Sequence, residues 1–98
     1  MRETSIVLGI EDPGFQEEVL HFLDRLPGAK VVGAAEGQDP LRRLVRERAP
    51  DVVIGVPQGL ADLDAVPKLA VDVRETTEGL RAAIRARARG YYVWARRA

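Results

Sequence analysis

The sequence predicts an α/β domain built on a five-stranded parallel sheet, and three features of the chain carry that prediction. Five short runs of apolar and β-branched residues lack polar alternation, which is typical of strands buried on both faces. Segments with apolar residues at helical spacing lie between most of these runs. Two Asp-Pro pairs, beginning at Asp12 and Asp39, are typical helix starts, with Asp as N-cap and Pro in the first turn. Strands that alternate with helices form a parallel sheet with right-handed crossovers.

The first half of the chain predicts two strand–helix units. The first strand covers Ser5–Ile10, and the helix that follows starts at Asp12 and stops at Pro27. The second strand covers Lys30–Ala35, and its helix starts at Asp39. Each helix carries one apolar face, formed by Phe15, Val19, Phe22, Leu23 and Leu26 in the first and by Leu41, Leu44, Val45 and Ala49 in the second.

The second half predicts three more strands and one full helix. Asp51–Val56 forms the central strand, and Gln58–Val66 is too short for a complete crossover helix. Lys68–Val73 forms the fourth strand, and a helix then begins at Thr76 or Thr77 and runs to about Arg89. Tyr91–Trp94 forms the fifth strand. The inward positions of the last helix are predicted to be Leu80, Ala83, Ile84 and Ala88.

Composition limits the classes of function. A chain of 98 residues with 46% hydrophobic and 31% charged residues predicts one folded domain, spanning residues 1–98 or part of a longer protein. A formal net charge of zero argues against a general polyanion binder. The sequence has no cysteine and a single histidine, His21, so it predicts no metal centre built on these residues. With neither a signal peptide nor a run of about 20 apolar residues, we expect a cytoplasmic protein.

The carboxyl end of the central strand carries no group suited to catalysis. Parallel α/β sheets bind ligands where their central strands end. Here that end is Gly55-Val56-Pro57, which supplies no acid, base, nucleophile or glycine-rich phosphate loop. Glu11 and Asp72 lie at the same predicted edge, but two carboxylates alone make a poor cation site. The sequence therefore predicts no enzyme activity, no metal and no cofactor.

Three segments resemble the receiver domain of bacterial response regulators. They are Ile6–Pro13, Ala49–Ile54 and Ala88–Val93. The resemblance implies a flavodoxin-like (CheY-like) three-layer sandwich with strand order 2-1-3-4-5. Compared with a receiver domain, the third helix is reduced and the fifth helix is missing.

The resemblance also implies five phosphorylation positions, and this chain departs from the family at four of them. The family holds Mg²⁺ with two acids after strand one, and it phosphorylates an Asp at the end of strand three. A hydroxyl residue after strand four and a Lys after strand five contact the phosphoryl group. Only one acid, Glu11, is kept, so the chain resembles a pseudo-receiver, similar to those of pilus-localisation ATPases of the MinD/ParA superfamily. The five positions fall on Ile10, Glu11, Val56, Asp72 and Trp94.

Without a fifth helix, one face of strands four and five is predicted to lack a cover. Tyr91 and Val93 point to one side of the sheet, and Tyr92 and Trp94 point to the other. Three arginines spaced by four residues form a basic stripe on the preceding helix. We expect a non-catalytic, phosphorylation-independent signalling or interaction module that dimerises or docks a protein partner. The predicted surface consists of Arg81, Arg85, Arg89, Tyr91, Tyr92 and Trp94.

Two alternatives remain open at this point. The first is a phosphorylatable receiver whose phosphorylation site is displaced from the usual position. The second is a nucleic-acid contact through the arginine stripe, which the neutral net charge of the domain disfavours. No membrane partner is expected.

Overall fold

The computed structural model describes residues 3–63 and 65–94, which form one five-stranded parallel sheet and three α-helices. The strand order is β2-β1-β3-β4-β5, as predicted. The third helix that the resemblance implies is reduced to a single 3₁₀ turn, also as predicted. The prediction that a fifth helix is missing concerns residues 95–98, which lie outside the described residues. The elements are β1 (Thr4–Gly9), α1 (Pro13–Asp24), β2 (Ala29–Ala35), α2 (Gln38–Arg48), β3 (Val52–Gly55), the 3₁₀ turn (Pro57–Gly59), β4 (Lys68–Asp72), α3 (Thr77–Arg85) and β5 (Tyr91–Val93).

Side chains of the central strands alternate between two hydrophobic layers. Val7 and Val53 point towards α2 and α3, whereas Leu8 and Ile54 point towards α1. On the α2–α3 side, the 3₁₀ turn and the loop after it supply Leu60 and Leu63, which are 0% and 7% exposed. The shortened crossover therefore still covers the sheet, although it forms no full helix.

Replacing Leu60 with alanine is expected to lower the free energy of unfolding by about 3 kcal/mol, because it opens a cavity where the missing helix would lie. Leu26→Ala is the matched control, since Leu26 is 41% exposed, and we expect it to cost less than about 1 kcal/mol. Chemical denaturation measures both values. A loss below about 1 kcal/mol for Leu60→Ala would mean that the crossover does not pack as core.

The two Asp-Pro pairs play different parts at their helix starts. Asp12 caps α1 as predicted, accepting a hydrogen bond from the Gly14 N–H at 3.1 Å. The prediction that Asp39 caps α2 is wrong. That helix starts one residue earlier, at Gln38, because Gly37 adopts a positive φ of 104° and turns the chain into the helix. Asp39 lies in the first turn and pairs instead with Arg42.

Two further predictions for α3 are wrong. The helix ends at Arg85, not Arg89, because Arg87 adopts a positive φ of 60° and breaks the helical path. The N–H of Arg89 instead donates to the Lys68 carbonyl beside β4, so the predicted stripe keeps only two of its arginines on the helix. Leu80 and Ile84 do not point inward: they are 47% and 66% exposed.

Small residues explain the orientation of α3. Its buried positions are Gly79 and Ala83, followed by Ala86 at the C-cap. A Cβ atom at Gly79 would lie 2.5 Å from the Tyr91 hydroxyl oxygen, so the helix approaches the sheet too closely for a larger side chain. The small face packs inward, and the larger apolar side chains of α3 are left outside.

Trp94 itself covers part of the sheet face that was predicted to be open. Its ring contacts Phe22 edge-on, with centroids 5.3 Å apart and planes at 87°. It also contacts Phe15 at 6.3 Å and 65°. Such T-shaped contacts stabilise aromatic clusters. Trp94 is therefore half-buried against α1, and the predicted lack of cover holds only in part, around Phe22 and Tyr92, which are exposed.

No helix among the described residues is both long enough and apolar enough to cross a membrane.

Candidate functional site

The five phosphorylation positions that the resemblance implies do not lie together in the structure. They are spread along the carboxyl edge of the sheet, where β1, β3 and β4 end. Ile10 is fully buried, and its side chain belongs to the hydrophobic layer under α1. Glu11 is exposed, and Val56 is half-buried directly after β3. Trp94 packs on α1 at the far end of the edge. Only Glu11 and Val56 share a cleft.

That cleft has a volume of about 310 Å³ and lies between the ends of β1 and β3 and the start of α2. Gln38 and Gln58 bridge it, since the Gln38 side-chain Nε2 donates to the Gln58 carbonyl at 3.4 Å. Among its lining residues, Glu11 is the only one with a charged side chain. The lining residues are Gly9, Glu11, Gly37, Gln38, Leu41, Val56, Gln58 and Gly59.

The donor set at this edge does not fit the Mg²⁺ ion that the resemblance implies. Mg²⁺ requires octahedral oxygen ligands and usually one or two carboxylates together with substrate oxygens. The cleft offers one carboxylate, on Glu11, and at the end of β3 a valine side chain with no oxygen. Within the described part of the chain, no three His, Cys, Asp or Glu side chains lie close enough together to hold a metal ion.

Asp72 lies outside this cleft and forms hydrogen bonds with residues around the loop between β4 and α3. Its Oδ1 accepts a hydrogen bond from the Val73 N–H at 2.9 Å, and its Oδ2 accepts one from the Tyr91 hydroxyl at 3.2 Å. The same hydroxyl oxygen accepts from the Thr76 N–H at 3.4 Å. Tyr91, predicted as part of a docking surface, is therefore directed into the molecule, where it ties β5 to the N-terminus of α3.

Tyr91→Phe is expected to lower the free energy of unfolding by about 1 kcal/mol, because it leaves the Asp72 carboxylate and the Thr76 N–H without this partner. The matched control is Tyr92→Phe, whose side chain is 59% exposed on the opposite face and should change stability by less than about 0.5 kcal/mol. Equilibrium unfolding in urea compares the two variants. Equal effects would show that the Tyr91 hydroxyl contributes nothing specific.

A second carboxylate, that of Asp51, accepts hydrogen bonds at the opposite end of the sheet. Asp51 Oδ2 accepts hydrogen bonds from the Ser5 backbone N–H at 2.8 Å and from its hydroxyl at 3.1 Å. The Asp51 N–H donates to the Ser5 hydroxyl oxygen at 2.9 Å. These bonds join the amino ends of β1 and β3. The position of Asp51 at the amino end of its strand follows from the sequence, but its pairing with Ser5 has no sequence signal because the two residues are 46 apart.

Three large apolar side chains are exposed on α3 and β5. Leu80 and Ile84 lie one turn apart on the outer side of α3. Val93 is 44% exposed on β5, on the same sheet face as Tyr91 and hence as α3. Within the described ranges, β5 pairs with β4 alone and so forms one edge of the sheet. We call Leu80, Ile84 and Val93 the apolar strip.

The predicted interaction residues do not form one surface. Arg81 and Arg85 project from α3 towards Gln58 and line a cleft of about 260 Å³ with it. Tyr92 and Trp94 lie on the other face of the sheet, beside α1. Sequence reasoning missed the apolar strip because it assigned the large apolar residues of α3 to the core. The helical spacing of Gly79, Ala83 and Ala86 is the signal that identifies the true inner face.

Comparison with known proteins identifies the fold. No family model and no curated protein matches the chain. Among solved structures, it is similar to the receiver domain of the putative response regulator NarL from Mycobacterium tuberculosis, with 21% identity and a TM-score of 0.79 over 95% of this chain and 85% of that one. It is also similar to a LuxR-family two-component response regulator from Aurantimonas sp. SI85-9A1, with 26% identity and a TM-score of 0.78 over 91% and 72%.

A third similar structure is the response regulator domain of Thermotoga maritima CheB, with 17% identity and a TM-score of 0.77 over 94% of this chain and 78% of that one. These likenesses show that the chain has the CheY-like fold of response-regulator receiver domains, as its sequence predicted.

Proposed function

We propose that this chain is a receiver-like signalling module that acts without phosphorylation and associates with a second copy of itself through α3 and β5. One observation carries the proposal: the apolar strip is exposed on α3 and β5, whereas the residue directly after β3 is Val56, which has no carboxylate to phosphorylate. We also propose that the chain is a pseudo-receiver and that it is similar to the receiver-like domains of MinD/ParA-type ATPases.

The carboxyl edge supports the part of the proposal that concerns phosphorylation. A phosphoryl group is accepted by a nucleophilic oxygen, and the Val56 side chain has none. The buried Ile10 cannot be a metal ligand, and Asp72 is engaged by Tyr91. We therefore propose a non-catalytic role, in which the domain signals through its state of assembly and not through a chemical step.

The α3–β5 surface supports the part of the proposal that concerns self-association. Exposed apolar side chains next to a free strand edge are features that soluble proteins normally keep covered. Leu80, Ile84 and Val93 are all more than two-fifths exposed in the isolated chain. A second copy that presents the same surface would bury all three in a two-fold interface.

The rival function, a receiver phosphorylated at a displaced position, is tested by incubating the chain with Mg²⁺ and acetyl phosphate and measuring its intact mass. We expect no added phosphoryl group. Glu11 is the one carboxylate in the cleft beside β3, so a stable phosphorylated species that disappears in Glu11→Gln would support the displaced-site receiver and contradict the proposal.

A further inference from the structure

We infer that a cleft at the amino end of the sheet binds a small, soluble, phosphate-bearing anion. The cleft lies where β4 begins and α3 ends, and it has a volume of about 340 Å³. It shares no residue with the apolar strip or with the cleft that Glu11 lines at the carboxyl edge. Its lining residues are Ala61, Leu63, Ala65, Lys68, Arg85, Ala86 and Arg87.

Among the described residues, every charged side chain that lines this cleft is positive. Lys68, Arg85 and Arg87 supply three cations, and the other lining residues are alanines and a leucine. Cations grouped on a concave wall beside apolar surface create a strong local positive potential, because water screens them less than on an open surface. The whole chain has a formal net charge of zero, so this positive region is local and does not reflect a generally basic protein.

Lys68 is the buried member of this group. It is the first residue of β4 and is 7% exposed. The alternation of the strand directs its side chain to the same side as that of Ala70, which is the side of α3. Burial withdraws a charged group from water and so strengthens its field in the cleft. Lys68 also takes part in an interaction within the chain, so the direct contacts to the anion fall to Arg85 and Arg87.

Arg87 occupies a backbone position that favours glycine. Its N–H donates to the Ile84 carbonyl at 3.0 Å. The N–H of Ala88 donates to the Ala83 carbonyl, also at 3.0 Å. These two bonds form a Schellman motif, which ends a helix with a left-handed residue, here Arg87 with a φ of 60°. Glycine adopts this conformation without strain, whereas arginine does not. The backbone therefore does not explain an arginine at this position, but its place on the wall of the cleft does.

The two arginines favour a phosphate group over a carboxylate. Arg85 and Arg87 are exposed, and within residues 3–63 and 65–94 neither guanidinium takes part in an ion pair. A guanidinium presents its N–H groups in a planar fork that binds phosphate oxygens two at a time. A phosphate monoester has three acceptor oxygens and about two negative charges near neutral pH, so it can engage both guanidinium groups at once. A carboxylate offers one charge and two oxygens in one plane.

Calorimetric titration of the whole chain with inorganic pyrophosphate tests this site. We expect saturable binding to a single site. Citrate, whose negative charges are all on carboxylates, should bind about tenfold more weakly or less. Two-dimensional amide NMR spectra recorded during the titration locate the anion. Signals of Lys68 and Ala86 should shift, whereas those of Glu11 and Gly59, which line the cleft at the other end of the sheet, should not.

Arg87→Gly separates the side chain of this residue from its backbone conformation. Glycine keeps the positive φ, so the midpoint of urea unfolding should be no lower than that of the wild type. The variant should nevertheless bind pyrophosphate about tenfold or more weakly, and Arg85→Gln should have a similar effect. Arg25→Gln is the matched control, because Arg25 is an exposed arginine at the C-cap of α1, on the other face of the sheet. We expect this control to bind pyrophosphate like the wild type.

Several outcomes of these experiments would overturn the inference. One is a wild-type chain that does not bind pyrophosphate, and another is citrate bound as tightly as pyrophosphate. Equal losses of affinity in Arg87→Gly and Arg25→Gln would show only a general attraction of anions to arginines at helix ends. Amide shifts confined to the cleft beside Glu11 would place the anion at the carboxyl edge. Binding to vesicles that contain phosphatidic acid, without binding to pyrophosphate, would assign the site to a lipid headgroup instead of a soluble anion.

Discussion

Replacing Ile84 with aspartate is expected to convert the self-associated protein into a monomer, weakening the dimer by about 100-fold or more. The side chain is 66% exposed in the isolated chain but is buried in the proposed interface, where an unpaired carboxylate is costly. Because of the two-fold axis, each substitution acts twice. The fold itself should tolerate the change, since Ile84 contributes little to the core, and the midpoint of thermal unfolding of the monomer should move by only a few degrees.

Leu26→Asp is the matched control for this surface. Leu26 is 41% exposed and follows α1, on the opposite face of the sheet from α3. Light scattering at several concentrations compares the two variants, and circular dichroism checks that both remain folded. A dimer that survives Ile84→Asp but is lost in Leu26→Asp would place the interface on the α1 face, beside Phe22 and Trp94, and would contradict the proposed surface.

Ile10→Asp is expected to lower the free energy of unfolding by about 4 kcal/mol or more. This change restores the first of the two acids that the resemblance assigns to Mg²⁺ binding, but Ile10 is fully buried in the layer under α1. An ionised or unpaired carboxyl group in that layer has no polar partner and carries a large desolvation cost. Residue 10 is therefore a core residue in this chain, where the receiver pattern that the sequence resembles has a metal ligand.

Two comparison variants separate the effect of charge from that of lost packing at this position. Ile10→Val removes one methylene group and should cost about 1 kcal/mol. Val56→Asp places the phosphoacceptor carboxylate on a half-buried side chain that lines the cleft, where water reaches it, and should cost far less than Ile10→Asp. Urea denaturation orders the three variants. An Ile10→Asp protein as stable as Ile10→Val would show that residue 10 can turn towards the cleft.

Most parts of the fold that are set by local sequence agree with the prediction, the cap of α2 excepted. The five apolar runs without alternation gave the sheet, and Asp12 with Pro13 gave the start of α1. The short stretch after β3 was recognised as too short for a helix. These signals depend on residues close together in the chain, so their meaning does not change when the rest of the molecule folds.

The errors arose where distant contacts or a positive φ decide the outcome. Leu80 with Ile84 and Gly79 with Ala83 both have the spacing of one helix face, so spacing alone does not identify the inner face. The close approach of Tyr91 to the helix leaves room only for the small residues there. The end of α3 depends on the positive φ of Arg87, which its residue type does not reveal. Likewise, the packing of Trp94 on Phe22 joins residues 72 positions apart in the sequence.

The sequence predicts which residues lie at the carboxyl edge of the sheet better than it predicts which of them share a cleft. The predicted central strand ended at Val56, whereas β3 ends one residue earlier, at Gly55. Val56 and Glu11 nevertheless line one cleft at this edge. The sequence placed Asp72 in the same pocket because β4 ends at the same edge. The hydrogen bond from Tyr91 to Asp72 removes that carboxylate from the cleft, and no pattern of spacing predicts this bond.

The central claim is tested most directly by light scattering of the wild-type chain over a concentration series, with and without Mg²⁺ and acetyl phosphate. We expect a mass that rises to twice the 10.8 kDa of one chain, with the same midpoint concentration in both conditions. A monomer at every concentration would contradict self-association. A dimer that forms only in the presence of the phosphodonor would contradict independence from phosphorylation and support a conventional receiver.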